Sequence, residues 1–455
     1  TCNYGTGKRS RIKYRGGMKC PQIFLGLLLS ALVNTLSAQE TLTLDQVFEM
    51  ALKNNFDIKL IKKQVEIADN SATIGNAGLL PSVNANASTG ITVNDTELEF
   101  AGNIAPVNVD AAQSTTTSLG VNANYILFNG LSGKNTYQKL QLNRDIVLMQ
   151  SRVTIEATLL QAANAFFVLA RANEQFEISR KNVEVSKTRL ERAELAYELG
   201  TSLKTDLLSA RVDLNSDSSA LLNAQIQERT ARRQLEVLLA TELAEGVKAL
   251  YDDPELKLWT EADLISKAQT NNASLKNAEL QLELAERDYK ISRSSFFPTL
   301  SVSGGYGLNQ QQNEAGIVLS NTASGWNGSI ALSYPLFNGF RSSTQRQNQK
   351  LNREIQTLEN AKLDFELNSD IKEALDSYNQ SYKLLKFERD NLESAEFNLS
   401  RTTELYNSGQ LSSIQFREAQ VALANAEVRL SNARMALLIN ELEILRLTGQ
   451  ILGNE

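Results

Sequence analysis

The sequence predicts an α+β membrane protein built from a duplicated unit, with four β-strands contributed to a shared transmembrane β-barrel and long helices forming antiparallel coiled-coil hairpins. Three observations lead to this fold class. The second half of the chain repeats the first, four segments alternate between apolar and polar residues without any charge, and the stretches 131–240 and 340–448 lack proline. Because a helix interior excludes proline, those two stretches are predicted to be helical.

The duplication is visible in short landmarks. Residues 79–83 (LLPSV) return as residues 296–300 (FFPTL), a separation of 217 positions. The motif Phe-Asn-Gly at 128–130 returns at 337–339, a separation of only 209, so we expect eight residues to be missing from a loop of the second copy. Repeats of this length indicate two copies related by pseudosymmetry, because solenoid repeats run to only ~20–50 residues.

The N-terminal region has the pattern of a secretory signal peptide. Met18 and Lys19 precede an apolar run at 23–36, which ends in small residues. We therefore expect residues 18–38 to be a signal peptide that directs export, and residues 1–17 to be an over-extended start.

The remaining chain is expected to consist of two structural repeats joined by a linker. The first repeat covers 39–241, the linker covers 242–260 and the second repeat covers 261–455. Each repeat is predicted to hold a helix, two strands and a long helical hairpin, with the first helices at 43–75 and 261–294.

Composition excludes several classes of function. Loss of residues 1–38 removes six of the 46 basic residues and none of the 52 acidic ones, which changes the net charge from −6 to −12. Such a charge argues against nucleic acid as a partner. The chain has no histidine, and its two cysteines, Cys2 and Cys20, lie within residues 1–38, which are expected to be lost. We therefore expect no catalytic residues, no metal site and no cofactor.

The four alternating segments are predicted to be membrane-spanning strands. They lie at 82–93, 115–128, 299–309 and 323–337. Each has about the length of a tilted transmembrane strand, ~9–11 residues. In the last segment, one face is predicted to contact lipid and carries Trp326, Ile330, Leu332 and Tyr334. The opposite faces carry Asn, Ser, Thr and Gly, which favours a water-filled lumen.

Alternation is also compatible with a small soluble sandwich whose apolar faces meet in a core. Soluble strands usually display Lys, Glu or Arg on the solvent face, and these strands do not, so the lumen interpretation is preferred. Four strands cannot close a barrel, since the smallest transmembrane barrels need about eight, and an open edge in lipid leaves backbone groups unpaired. Several protomers must therefore share one barrel.

The long helices are predicted to form two hairpins. A helix over 131–199 would be on the order of 100 Å long at ~1.5 Å per residue. It is predicted to turn at Gly200 and return through 203–240, because glycine adopts the left-handed conformation that ends helices. The second copy is predicted to turn at Gly409 and return through 412–448. Apolar residues at coiled-coil spacing indicate partner helices, although a purely structural coiled coil would show the same pattern.

This order of elements resembles the TolC family of outer-membrane efflux and secretion ducts. The resemblance covers the mature chain and is carried by residues 334–339 (YPLFNG), where the family's barrel meets its helices, and by the hairpin tips at 200–210 and 409–419. The junction residues so identified are Phe128, Asn129, Gly130, Pro335, Phe337, Asn338 and Gly339. The first copy departs from the motif, with Ile126 where the second has Pro335, so its strand-to-helix bend is expected to be less fixed.

The resemblance implies a homotrimer with a twelve-stranded barrel in the outer membrane lipid of a Gram-negative bacterium and a helical tunnel, an α-barrel, through the periplasm. It further implies a passive exit duct of a tripartite efflux or type I secretion system, which works with a periplasmic adaptor and an inner-membrane transporter. In the family, the tips form the gate. The positions that match its constriction are Gln415 and Glu418, with Asp206 at the corresponding place in the first copy.

A second class of function stays open at this point. A periplasmic adaptor or coiled-coil scaffold without a channel would also carry helical hairpins, although adaptors flank them with compact soluble β-domains. We expect an adaptor to extract as a soluble or inner-membrane protein. A duct should require detergent and reside in the outer membrane.

Overall fold

The structure is a computed structural model that describes residues 41–99, 101–102 and 105–452. The predicted signal peptide and the predicted over-extended start lie outside the described residues. The elements in chain order are β1 (Thr41–Leu42), α1 (Leu44–Asn54), α2 (Phe56–Ser71), β2 (Ser82–Leu98), β3 (Val107–Asn129), α3 (Ser132–Glu198), α4 (Lys204–Leu239), β4 (Lys248–Ala249), α5 (Glu261–Asn271), α6 (Ala273–Ser294), β5 (Thr299–Asn313), β6 (Ser320–Ser333), α7 (Arg341–Asn407) and α8 (Ser413–Leu447).

The four long strands form one antiparallel sheet in the order β2-β3-β5-β6. The two hairpins are joined where β3 pairs with β5, so residues of all four strands line up in transverse rows. Within the described part of the chain, the outer edges of β2 and β6 have no strand partner. The sheet is therefore open on both sides.

The strands differ from the sequence prediction at their ends. All four strands reach further toward their connecting loops than expected, β2 to Leu98, β3 from Val107, β5 to Asn313 and β6 from Ser320. The eight positions missing from the second copy are therefore taken from the strand ends as well as from the loop. The extensions of β2 and β3 contain Asp95, Glu97 and Asp110, so a search for charge-free alternation did not include them.

The strand that precedes each long helix ends differently in the two copies. β6 ends at Ser333, two residues before Pro335, whereas its predicted segment ran to 337. Proline cannot donate to the ladder, so the strand stops there. In the first copy β3 continues to Asn129, with a bulge between Ile126 and Phe128. The bulge shifts the phase, so that Phe128 rather than Leu127 pairs with Leu300.

The two long hairpins match the predicted helices closely. α3 and α7 each contain 67 residues, and the returning helices α4 and α8 contain 36 and 35. Gly200 and Gly409 have φ values of 72° and 74°. After each glycine, a backbone N–H donates to a carbonyl five residues back, from Thr201 to Ala196 and from Gln410 to Leu405, at 2.9 Å in both cases. Both turns are Schellman motifs, in which glycine takes the left-handed position.

Each of the shorter helices that precede the strands was predicted to be continuous, and each is broken in two. Asn55 separates α1 from α2 with φ −54° and ψ 135°. Its side chain accepts from the N–H of Ile58 at 3.1 Å and donates to the carbonyl of Leu238 at 2.8 Å. Asn272 makes the equivalent two bonds at 3.0 and 2.9 Å. A single amide thus caps a new helix and bonds the end of a returning helix.

The helical part has two hydrophobic clusters, one in each copy. Their largest fully buried side chains are Leu159, Phe166, Phe167, Leu169, Leu235 and Leu239 in the first and Leu264, Ile371, Tyr378, Leu385 and Leu437 in the second. Each such side chain contributes roughly 1.5–3 kcal/mol when buried. Of the described helices, α3 alone has an 18-residue window apolar enough to cross a membrane, and half of that window is buried against other elements. This apolarity serves packing between helices.

The linker between the copies contacts both hairpins. β4 in the linker pairs in parallel with β1. The hydroxyl of Tyr251 donates to Glu174 of α3 at 2.6 Å, and the N–H of Lys257 donates to the hydroxyl of Tyr378 in α7 at 2.9 Å. Burial, together with the bond to Glu174, raises the pKa of Tyr251. The linker therefore fastens the first hairpin to the second.

We expect Gly449→Ala to destabilise the protein far more than Gly200→Ala. Both glycines have positive φ, 68° and 72°. A methyl group at 449 would lie 2.5 Å from the carbonyl oxygen of Asn271, whereas at 200 it would meet nothing within 4 Å. The strained backbone alone costs about 1–2 kcal/mol, and overpacking adds about 1–3 kcal/mol. Thermal unfolding followed by circular dichroism would measure both losses, and equal losses would contradict the packing at Asn271.

Candidate functional site

One face of the sheet, here called the apolar face, carries a band of large side chains. In β6, Trp326, Ile330 and Leu332 are 84%, 74% and 70% exposed. Their paired residues in β5 are Tyr306, Val302 and Leu300. Tyr334 follows the end of β6 and is 54% exposed. Such exposed apolar area is unusual for a surface in water and is typical of one that contacts lipid or another chain.

The apolar band ends within the strands. The rings of Tyr306 and Trp326 lie 5.1 Å apart near its outer limit. Farther along β5 and β6, Gln310 pairs with Thr322 on the same face, whereas β2 keeps Ile91 and Val93 on this face. Aromatic side chains at the limit of an apolar band are typical of the membrane–water boundary of barrels.

The opposite face, here called the polar face, is uncharged over the length of the band. One transverse row across the four strands consists of Asn84, Asn122, Gly305 and Asn327. No Lys or Arg occurs at 82–133 or 295–340. The acidic residues of these stretches lie beyond the band, at Asp95, Glu97, Glu99, Asp110 and Glu314.

Both junctions between strand and helix are built on two consecutive left-handed residues. Gly130 and Leu131 have φ values of 65° and 67°, and Gly339 and Phe340 have 65° and 64°. The glycines were identified from sequence, whereas Leu131 and Phe340 were not, because neither residue type indicates positive φ. Two such residues in succession turn the chain sharply from the sheet into the helix.

The asparagine of each Phe-Asn-Gly motif bonds the helix that follows. The side-chain oxygen of Asn129 accepts from the N–H of Gly133 at 3.2 Å, and the amide of Asn338 donates to the hydroxyl of Ser342 at 2.7 Å. The flanking aromatics Phe128 and Phe337 are 39% and 75% exposed.

The two junctions differ in how tightly they are packed. A methyl group at Gly130 would lie 2.8 Å from the carbonyl oxygen of Ser294, whereas one at Gly339 would meet nothing within 4 Å. The first junction lacks a proline and is fixed by packing instead. The second has Pro335 and is open.

The predicted constriction residues lie at the starts of the returning helices. Asp206 is exposed in the first turn of α4 and accepts from the hydroxyl of Ser202 at 2.8 Å. Gln415 forms a capping box with Ser412, whose hydroxyl donates to its side-chain oxygen at 2.9 Å. Glu418 is exposed one turn later. The side chain of Gln415 thus caps α8, whereas the carboxylates of Asp206 and Glu418 are exposed.

Behind the tips lies an ionic cluster that the sequence did not reveal, here called the tip cluster. Arg417 of α8 binds Asp217 of α4 through two bonds of 2.7 and 2.5 Å, and the hydroxyl of Ser186 in α3 donates to the same carboxylate. Both charged groups are largely buried, with side-chain exposures of 20% and 10%. A bidentate pair in this setting is a strong, directional interaction.

The tip cluster continues along α3. Arg189, only 4% exposed, pairs with Asp213 of α4 at 2.7 Å and donates to the hydroxyl of Ser413 in α8 at 2.7 Å. Arg192 donates to Asn407 at the end of α7 at 2.6 Å. Side chains of all four long helices therefore meet behind the tips. The contacts between the two copies join residues 200 to 224 positions apart, so no local pattern could indicate them.

We expect Arg417→Gln to loosen the hairpin near Asp217, because it leaves a largely buried carboxylate without its partner. Breaking a buried pair costs about 3–5 kcal/mol. Amide hydrogen exchange in α4 should accelerate by roughly a hundredfold or more around Asp217. The matched control is Arg211→Gln, which removes an exposed pair with Glu194 at 3.4 Å and should change exchange little. Equal effects of the two variants would contradict this role.

Comparison with known proteins places the chain among outer membrane proteins. A model of the outer membrane efflux protein family matches residues 47–241 and 264–450, one stretch in each half. The pyoverdine export outer membrane protein OpmQ of Pseudomonas aeruginosa is 28% identical over 405 residues, covering 87% of this chain and 82% of the relative. The outer membrane protein TolC of Vibrio cholerae is 24% identical, covering 94% and 95%.

Solved structures of similar fold include the outer membrane channel CmeC of Campylobacter jejuni. Its TM-score is 0.74 at 18% identity, covering 89% of this chain and 85% of that one. CusC has a TM-score of 0.72 at 19% identity, covering 90% and 92%. The predicted duplicated α+β channel fold and outer-membrane location are thereby confirmed. The chain belongs to the outer membrane efflux protein family, as a channel of the Gram-negative outer membrane with a large periplasmic portion.

Proposed function

We propose that three copies of this chain form the passive exit duct of a tripartite efflux or type I secretion system. The observation that carries the proposal is the four-stranded sheet with two unpaired edges, an apolar face and an uncharged polar face. Pairing the β2 edge of one copy with the β6 edge of the next satisfies both edges. Three copies supply twelve strands, enough for a closed barrel with a lumen.

The helices also present surfaces that suit neighbouring copies. α7 has exposed apolar residues at coiled-coil spacing, namely Leu351, Ile355, Leu358 and Phe365. α4 has a second such series, namely Leu208, Val212, Leu222 and Ile226. Apolar stripes on helices otherwise surrounded by water need partner helices. Joined side by side, the hairpins of three copies would continue the barrel as a helical tunnel.

The gate of this duct is proposed to lie at the hairpin tips. Asp206 and Glu418 supply the carboxylates of the constriction, and the tip cluster holds α3, α4 and α8 together in the closed state. A periplasmic adaptor and an inner-membrane transporter supply the energy for opening. Opening then requires the hairpins to separate at Arg417 and Asp217.

The test of the proposed function is conductance of the detergent-purified protein in a planar bilayer, with its oligomeric mass measured in parallel. We expect a trimer with discrete, long-lived conductance steps. A soluble monomer or dimer without conductance would overturn the proposal in favour of an adaptor or scaffold.

We expect the double variant Asp206→Ala/Glu418→Ala to lower the preference of the channel for cations, because fixed negative charge at a constriction attracts cations. The reversal potential in a salt gradient measures this preference. The control is Glu393→Ala, which removes an exposed carboxylate of α7 that lies away from the tip. Unchanged selectivity and unchanged block by multivalent cations in the double variant would contradict a constriction at these residues.

A further inference from the structure

Five asparagines converge on the polar face of the sheet. Asn84, Asn122 and Asn327 share the transverse row with Gly305, and Asn124 and Asn86 lie in the rows on either side. Together with neighbouring backbone and Ser303, they line a concavity of about 520 Å³. We call this concavity with its five side chains the amide site.

Gly305 lies between the side chains of Asn122 and Asn327. It is buried, and a methyl group there would overlap the side-chain oxygen of Asn122 and lie 3.1 Å from that of Asn327. The two amide groups therefore lean over the glycine from the adjacent strands. Absence of a side chain at 305 is what allows them to approach each other.

The amide groups of the site are available for hydrogen bonding. Within the described residues, none of the five bonds another protein group, whereas the neighbouring hydroxyls of Ser303 and Ser329 bond each other at 2.7 Å. Each carboxamide offers two donors and an acceptor, so the site can both give and receive hydrogen bonds.

The chemistry of the surroundings restricts the solute. No charged residue lies in the three rows that form the site, so a charged group entering it would lose hydration without gaining a counter-ion. A solute with amide groups suits it better, because amides pair with each other through matched donors and acceptors. Asn84 and Asn86 lie two residues apart on one strand, about 6.6–6.8 Å, which is also the spacing of every second amide in an extended peptide.

We propose that the amide site is a weak binding station for uncharged, amide-bearing solutes, with extended peptides as the best-matched class. The proposal rests on the proposed function, since the polar face becomes a lumen only in the assembled duct. Each carboxamide exchanges a hydrogen bond to water for one to the solute, so the affinity is low and the solute is released readily. The station thus selects cargo within the barrel by hydrogen bonding, separately from the carboxylates at the tips.

The test uses the full mature protein in planar bilayers with an end-blocked, uncharged oligoglycine as the probe. Poly(ethylene glycol) of the same hydrodynamic size is the reference, because it accepts hydrogen bonds and donates almost none. We expect the peptide to block the current with dwell times roughly tenfold longer than the polymer, as two or three additional hydrogen bonds would give.

The double variant Asn122→Ala/Asn327→Ala should reduce the peptide dwell time to that of the polymer. Both side chains are at least partly exposed, so the variant is expected to fold, and an unchanged open conductance verifies this. The matched control is Asn309→Ala, on the same face but bonded by Ser118 at 3.0 Å, which should keep the long dwell time.

Equal dwell times for the two probes in the unmodified protein would overturn the amide site, as would a long dwell time that survives in the double variant. In both cases the conductance itself would be intact, so the duct would stand. Loss of conductance in the unmodified protein would overturn the duct and the amide site together.

Discussion

The pairing of backbone hydrogen bonds at the edges of β2 and β6 is the constraint on which the rest of the structure depends. A strand edge in lipid leaves N–H and C=O groups without water or protein partners, and each such group costs several kcal/mol. β3 and β5 are paired on both sides, whereas β2 and β6 each have one free side in the described chain. In the proposed duct, the single chain is one section of the barrel wall, and pairing its two edges with neighbouring copies satisfies these groups.

The duplication makes the two hairpins nearly equal in length. In both copies, the 67-residue helix follows a junction of two consecutive left-handed residues. The tip cluster joins α3, α4 and α8 through non-equivalent positions, because Arg417 near the start of α8 reaches Asp217 farther along α4. The junctions are nevertheless stabilised in different ways, by packing at Gly130 and by the restricted backbone of Pro335 in the other copy.

Much of this architecture could be predicted from sequence, because it is encoded in local patterns. Alternation indicated the strands, proline-free stretches indicated the long helices, and Gly200 and Gly409 marked the turns. The helix break at Asn272 was missed because an asparagine cap inside a helical pattern depends on a carbonyl contributed by a distant helix. The ion pair between Arg417 and Asp217 was not predicted for the same reason, since long-range ion pairs leave no periodic pattern in the sequence.

The parallel pairing of β1 with β4 has a consequence for the origin of the chain. It brings the beginning of the first copy next to the linker that leaves it. A unit whose two ends meet can be copied head to tail with a short connection, and neither copy has to change its fold to accommodate the other. Gene duplication thus suits this geometry. Because both copies lie in one polypeptide, they can differ in sequence, and the chain carries two unlike versions of the strand-to-helix junction.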